Sequence, residues 1–292
     1  MLDGLAYGLY AAFVWGLTDI CAALASRRMG GLATVAGVQA ASLIGLYLFA
    51  IITQGGLSLD PAVAPGAVGI GIVSAVAYIA FFTALGLGPI TVVSPVASAY
   101  GGLTVVLAVI LLGERLTSSQ AVGAALGTLG ILMVGLRVDG HWRTARFVGP
   151  GVPLAIVALV GWGFVTIGLS VLVREAGVLP VILVTRTANV VTVWLLVAGR
   201  RLLRRGALPI PGRVQARILG LAVLGGLLDV SGYIVYATGL QKSLVWLVGL
   251  SSSFGPAVAI LIAVVLLGER LRPVQWLGLG ALATGIVLVG LP

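Results

Sequence analysis

The sequence predicts an all-α polytopic membrane protein: ten transmembrane helices forming an inverted repeat of five plus five. Three observations carry that expectation: an extreme apolar composition, apolar runs of membrane-spanning length, and one segment that occurs twice. Of 292 residues, 60% are hydrophobic and 9% charged, with mean hydropathy +1.20. A soluble domain is about 45–50% apolar and about 25% charged. A water-soluble fold would have nowhere to place this much apolar surface, so lipid must solvate most of it. In lipid every backbone N–H and C=O needs an internal partner, which leaves helices or a closed barrel. Continuous apolar runs of about 20 residues, rather than alternating segments of about 10, select helices.

Taken in order, the predicted spans cover 5–26, 33–53, 66–86, 89–112, 117–136, 152–173, 179–199, 214–240, 243–267 and 273–291. Most connections are short, such as Gly88-Pro89 and Gly113-Glu114-Arg115-Leu116, and short connections place consecutive helices antiparallel and side by side. Three are longer: 54–65, 137–151 and the arginine-rich 200–213. Loops that follow odd-numbered helices carry 13 of the 17 Lys and Arg residues, against Arg115, Arg174 and Lys242 on the other side, with Arg186 inside a span. The positive-inside rule makes the 13-charge side cytoplasmic and puts both termini on the non-cytoplasmic side of a cell (inner) membrane. The net charge of +9 thus sets topology and does not imply a nucleic-acid partner. The single cysteine, Cys21, excludes a disulfide framework. The start Met-Leu-Asp lacks the basic region of a cleavable signal, so the first run reads as a permanent helix.

The repeat is the most informative feature. Residues 112–136 read LGERLTSSQAVGAALGTLGILMVGL and residues 267–291 read LGERLRPVQWLGLGALATGIVLVGL; 12 of 25 positions are identical at an offset of 155. Apolar bias can match leucines, but not Gly-Glu-Arg-Leu together with Gln120/Gln275 and Gly123/Gly278. Tyr78/Tyr233 and Ser98/Ser253 match at the same offset, and Trp15-Gly16 matches Trp162-Gly163 at 147, which implies an insertion in the second half. The expected organisation is a first five-helix repeat over 1–137, a linker over 138–151 and a second repeat over 152–292. Five is odd, so the second copy enters the bilayer from the opposite side.

Enzyme signatures are missing. One histidine excludes HExxH, the only lysine is not preceded by glycine as a P-loop requires, and there is no G-x-S-x-G elbow. One His, one Cys and eight scattered carboxylates give no metal site, and no cofactor is implied. Five-helix repeats in tandem, each carrying L-G-E-R-L between its last two helices, resemble the EamA-type branch of the drug/metabolite transporter superfamily. The resemblance implies a ten-helix, non-enzymatic carrier of small molecules in the lipid bilayer, with amino acid export, aromatic amino acids included, as the leading expectation. Broad drug efflux, metabolite uptake and lipid flipping or intramembrane catalysis are the alternatives. It further implies that helices 1–4 and 6–9 line a central cavity with 5 and 10 peripheral, and that transport draws on a proton gradient or on substrate exchange.

Candidate site residues follow from chemistry at midplane depth. Asp19 and Trp15 share a face of helix 1 with the small residues Gly8, Ala11 and Ala12. A charged group deep in a span costs roughly 2.5–3.5 kcal/mol to insert and therefore faces a cavity or a partner. Asp19 could contact substrate, carry a proton or simply bond a neighbouring helix. Asp229 and Arg186 fall at similar depths in helices 8 and 7, either as a structural ion pair or as carboxylate and guanidinium offered to a zwitterion. Tyr233 and Tyr236 share the Asp229 face; Tyr78 is the repeat mate of Tyr233, and Trp162 with Thr166 answers Trp15 with Asp19. Helix 4 holds Ser94, Pro95, Ser98 and Tyr100, while helix 9 holds Trp246, Ser252, Ser253 and Pro256. Proline frees backbone carbonyls, and interrupted helices at corresponding places in two repeats point to a binding site between them. Glu114-Arg115 and Glu269-Arg270 read as structural caps of tight turns.

Overall fold

The computed structural model describes residues 2–53, 60–88, 90–135, 150–203, 216–258, 262 and 272–291. The expected linker up to residue 149, with His141 and Trp142, the arginine run over 204–213, and Glu269-Arg270 lie outside the described residues. Eight described helical spans are long and apolar enough to cross a membrane: α1 (Leu2–Met29), α2 (Gly31–Ile52), α3 (Ala64–Leu87), the consecutive pair α4 (Ile90–Ser98) and α5 (Tyr100–Leu112), α7 (Val152–Ala176), α8 (Val178–Leu203), α9 (Ala216–Lys242) and α11 (Pro273–Gly290). Two shorter apolar elements, α6 (Ser118–Gly135) and α10 (Val245–Ser252, resuming at 255–258), bring the count to ten. The fourth and ninth spans are each broken in two, near the prolines Pro95 and Pro256 that the sequence marks as interruptions.

The two halves are built alike. A single residue, Gly30 at φ 82°, joins α1 to α2, and Gly177 at φ 83° joins α7 to α8. Only glycine adopts that backbone without a Cβ penalty. The two glycines are 147 residues apart, the offset that relates Trp15 to Trp162. The halves interleave: α1 and α2 pack on α9 of the other half, as α7 and α8 pack on α3.

Among the described helices the most extensive pairing joins α6 to α11, and it explains why the repeated segment is so well matched. A Cβ at Gly130 would stand 2.7 Å from the Gly278 carbonyl oxygen and one at Gly278 2.9 Å from that of Gly130; Gly123 and Gly285 face each other in the same way at 2.9 and 2.7 Å. Without a hydrophobic force between helices in lipid, such backbone approach is what holds a helix pair together. At either end a glutamine reaches across: Gln120 Nε2 donates to the Leu291 carbonyl (3.3 Å) and Gln275 Nε2 to that of Val134 (3.2 Å). Each side-chain oxygen meanwhile accepts from its own helix entry, the N–H of Thr117 (3.0 Å) or of Arg272 (3.1 Å). The glycines, the glutamines and the helix-entry N–H groups are each used twice across a pseudo-two-fold seam, whereas the acceptor carbonyls, Leu291 and Val134, are not mates at the 155-residue offset.

The LGERL turn has its own physical reason. Gly113 closes α5 in the left-handed conformation (φ 68°), a common helix stop. The following Glu114 crosses to the other half, where its two oxygens accept the N–H groups of Val245 and Trp246, each at 2.9 Å, at the start of α10. Carboxylate at a helix N-terminus satisfies orphan donors and complements the helix dipole. Arg174 lies 3.7 Å from Glu114 and donates to the Leu240 (3.1 Å) and Ser243 (2.8 Å) carbonyls, tying down the α9–α10 turn.

Candidate functional site

The site begins at the two breaks. Pro95 cannot donate to the helix ladder; its carbonyl accepts from Ala99 N–H at 3.2 Å, and the chain turns there before α5 starts at Tyr100. In the second half the turn falls at Ser253-Phe254, just before Pro256. Ser251, Ser252 and Ser253 donate to the carbonyls of Leu247 (2.7 Å), Gly249 (2.9 Å) and Leu250 (2.6 Å), re-satisfying acceptors near the break. Ser98 and Ser253 are repeat mates, so the interruptions correspond. They also touch: the Tyr100 and Ser252 hydroxyls share a hydrogen bond of 2.7 Å.

Where the breaks meet, the helices part around a hollow of about 780 Å³ of space between atoms, its mouth included. α1 contributes Trp15, Thr18 and Asp19; α3 contributes Ser74, Tyr78, Phe81 and Phe82; Ser98 and Tyr100 flank the first break. From the second half come Trp162, Val165, Thr166 and Leu169 of α7, Asp229, Tyr233 and Tyr236 of α9, and Ser252 with Gly255 at the other break. Trp162 is the hub of the aromatic wall, with Phe81 at 5.0 Å, Tyr78 at 5.5 Å and Tyr100 at 5.9 Å between ring centroids, all edge-to-face. Trp15 stacks at a tilt against Tyr236 (5.1 Å), whose hydroxyl pairs with that of Thr166 (2.7 Å).

Two carboxylates face this hollow, in opposite conditions. Asp229 is 1% exposed and fully engaged: Oδ1 accepts from Tyr78 OH (2.8 Å), and Oδ2 from Ser42 Oγ (2.8 Å) while lying 3.0 Å from Arg186 Nη2. Arg186, 2% exposed, also donates to Gln39 Oε1 and lies over the Tyr233 ring at 4.3 Å. Asp19 is part-exposed and accepts one bond, from Ser94 Oγ at 2.6 Å. Trp15 ties the two walls, its Nε1 reaching the Asp229 carbonyl at 3.5 Å.

Of the residues singled out from sequence, eleven meet in this hollow: Trp15, Asp19, Tyr78, Ser98, Tyr100, Trp162, Thr166, Asp229, Tyr233, Tyr236 and Ser252. The others stand elsewhere. Ser94 is behind Asp19, and Arg186 is behind Asp229 as the partner of an ion pair. Trp246 is fully buried in the apolar core, and Ser253 spends its hydroxyl on Leu250; neither lines the hollow. Pro95 and Pro256 adjoin the breaks without reaching the wall. Nor do α2 and α8 contribute to the lining, in contrast to the expectation for helices 2 and 7; they act through Gln39, Ser42, Arg186 and Asn189 behind it. Phe81 and Phe82 were missed, although they lie one turn from Tyr78. Gln39 and Ser42 were missed too, and the 147-residue offset would have marked them as mates of Arg186 and Asn189.

An interleaved pair of five-helix units around a mostly apolar, ring-lined hollow that holds two carboxylates is the architecture of an integral membrane protein. The match to known families is direct: the EamA-like transporter family covers residues 2–136 and again 149–291, and the chain belongs to that family. No functionally curated protein sequence matches. A protein of known crystal structure aligns over 99% of this chain and 97% of its own with TM-score 0.76 and 20% identity, a likeness that speaks for the fold alone.

Proposed function

We propose that this protein is a secondary carrier that moves small amphipathic metabolites bearing an amino group, by alternating access, across a cell (inner) membrane. Export of amino acids, the expectation drawn from the family resemblance, falls within that class. The observation that supports the reading is the hollow itself. It lies between the halves, takes its walls from both, and sits where both interrupted helices cross, so rocking one half against the other exposes it to one side and then the other. The aromatic walls suit an apolar body and the part-exposed Asp19 suits an amino group. Motive force comes from a proton gradient or from exchange, and the 13:3 bias of Lys and Arg puts both termini outside the cytoplasm. The test is counterflow in reconstituted vesicles with a labelled panel of amino acids and amines at a controlled pH gradient. Trp162→Ala, which removes the hub of the ring wall, should cut flux at least tenfold while expression stays near normal. Wild-type flux in that variant, or no flux of any panel member by the parent protein, refutes the reading.

A further inference from the structure

Charge bookkeeping around the hollow narrows the substrate class. Among the described lining residues there are two carboxylates and no cationic side chain. Asp229 is neutralised by Arg186, and its oxygens are taken up by Tyr78 and Ser42. Arg186 keeps nitrogens that make no hydrogen bond, Nε and Nη2, but its charge is already matched by Asp229 at 3.0 Å, and drawing it toward a substrate carboxylate would weaken that buried pair. It is also shut off: 2% exposed, absent from the lining, and covered by the Tyr233 ring. Of the lining hydroxyls, Thr18, Thr166 and Ser252 each donate to a main-chain carbonyl, and Ser74 and Ser98, which are not so engaged, carry no charge to match an anion's. What is left over is the charge of Asp19. It is part-exposed, bonded only through Oδ2 to Ser94, and in no ion pair among the described residues. The aromatic faces around the hollow reinforce the same sign, because a ring face attracts a cation and repels an anion.

We infer that the physiological substrate is a monocation, an amphipathic amine without a carboxylate, its ammonium at Asp19 and its apolar body among the rings of Trp15, Tyr78, Trp162 and Tyr236. An alkylammonium stays protonated at neutral pH, like the lysine side chain (pKa about 10.4), and supplies the donors Asp19 lacks. A zwitterion brings a second charge for which the described lining residues keep no free cation, and an unmatched group in a desolvated site counts against it. This inference rests on the carrier reading and sharpens it.

The experiment uses the full chain in vesicles and two labelled probes of the same ring system, tryptophan and its decarboxylated amine, tryptamine. Tryptamine should show a half-saturation concentration at least tenfold below that of tryptophan. Asp19→Asn should erase that preference, and Asp19→Glu, which keeps the charge, should retain most of it; thermal unfolding of each variant in detergent reports whether it is folded. The parent comparison needs no variant, so a misfolded Asp19→Asn leaves the test standing. Tryptophan transport equal to or better than tryptamine overturns the inference while the carrier reading stands. An undiminished tryptamine preference in folded Asp19→Asn overturns it as well. Flux of neither probe, from vesicles holding folded protein, overturns the inference, and the carrier reading falls with it only if the whole panel of amino acids and amines is inert as well.

Discussion

Two crossings at the middle of the molecule share a framework and differ in charge. At the 147-residue offset Gln39 and Ser42 of α2 correspond to Arg186 and Asn189 of α8; at the 155 offset Ser74 and Tyr78 of α3 correspond to Asp229 and Tyr233 of α9. In one crossing α2 meets α9 and Ser42 donates to Asp229 at 2.8 Å. In the other α8 meets α3, and the equivalent bond runs from Asn189 Nδ2 to Ser74 at 3.2 Å. The geometry is the same, yet one bond ends on a carboxylate paired with Arg186 and the other on a hydroxyl. Gln39 and Arg186, mates of each other, are themselves hydrogen-bonded, so both stand close to the pseudo-two-fold axis. The lesson is that a shared backbone plan leaves room for one crossing to be electrostatically stiff and the other soft, although each takes one helix from each half. A symmetric scaffold carries an asymmetric set of polar contacts through three substitutions.

The comparison breaks most severely if half of the ion pair is removed. Arg186→Met should strand the Asp229 carboxylate in low dielectric and cost roughly 3–5 kcal/mol of stability in unfolding of the purified protein, since breaking a buried pair leaves an uncompensated charge. Rewriting the charged crossing in the language of the neutral one should undo most of that. Arg186→Gln combined with Asp229→Ser should return to within about 2 kcal/mol of the parent, because deleting both charges removes their desolvation along with their attraction. A double variant no more stable than Arg186→Met alone would mean that Arg186 acts through packing, not charge.

Smaller effects sharpen the contrast between the two mate bonds. Ser42→Ala deletes a hydrogen bond to a charged acceptor in a fully buried place and should cost about 1.5–3 kcal/mol. Asn189→Ala deletes a longer, neutral bond and at the same time disposes of an Oδ1 that is buried without a partner. Removing an unsatisfied acceptor offsets the loss, so the cost should stay below about 1 kcal/mol. Equal costs for the two variants would erase the distinction between a stiff and a soft crossing.

Much of this was legible in the sequence. Twelve identities in 25 positions located the helix pair whose contacts are used twice, and glycine, glutamine and the Gly-Glu turn each stand where backbone approach, capping or a left-handed residue demands them. Breaks in the fourth and ninth spans were readable because proline and serine leave a local signature. What could not be read was lateral position. Helical periodicity says that Trp246 and Trp162 each face somewhere buried, but not that one meets the apolar core and the other the hollow, since both environments accept a large ring. Ser42 and Gln39 looked like ordinary small or polar residues of a packed helix, and only their contact with Asp229 and Arg186 gives them a role. Polar residues in lipid announce that a partner exists, while naming it takes the third dimension.

The seam between α6 and α11 provides the reference case, a place where the two halves should behave alike. Gln120 and Gln275 each accept an N–H at the entry of their own helix and donate to the last turns of the other, at 3.3 and 3.2 Å. Neither bond involves a charge, and both lie at the ends of the seam. Gln120→Ala and Gln275→Ala should therefore each cost about 1 kcal/mol, with a difference smaller than that between Ser42→Ala and Asn189→Ala. Both variants should keep the parent protein's flux, because neither glutamine touches the hollow. A large inequality at this seam would show that the asymmetry is spread over the whole molecule. Near-equality would confine it to the midplane, where a guanidinium replaces glutamine, asparagine replaces serine and a carboxylate replaces serine between the first half and the second.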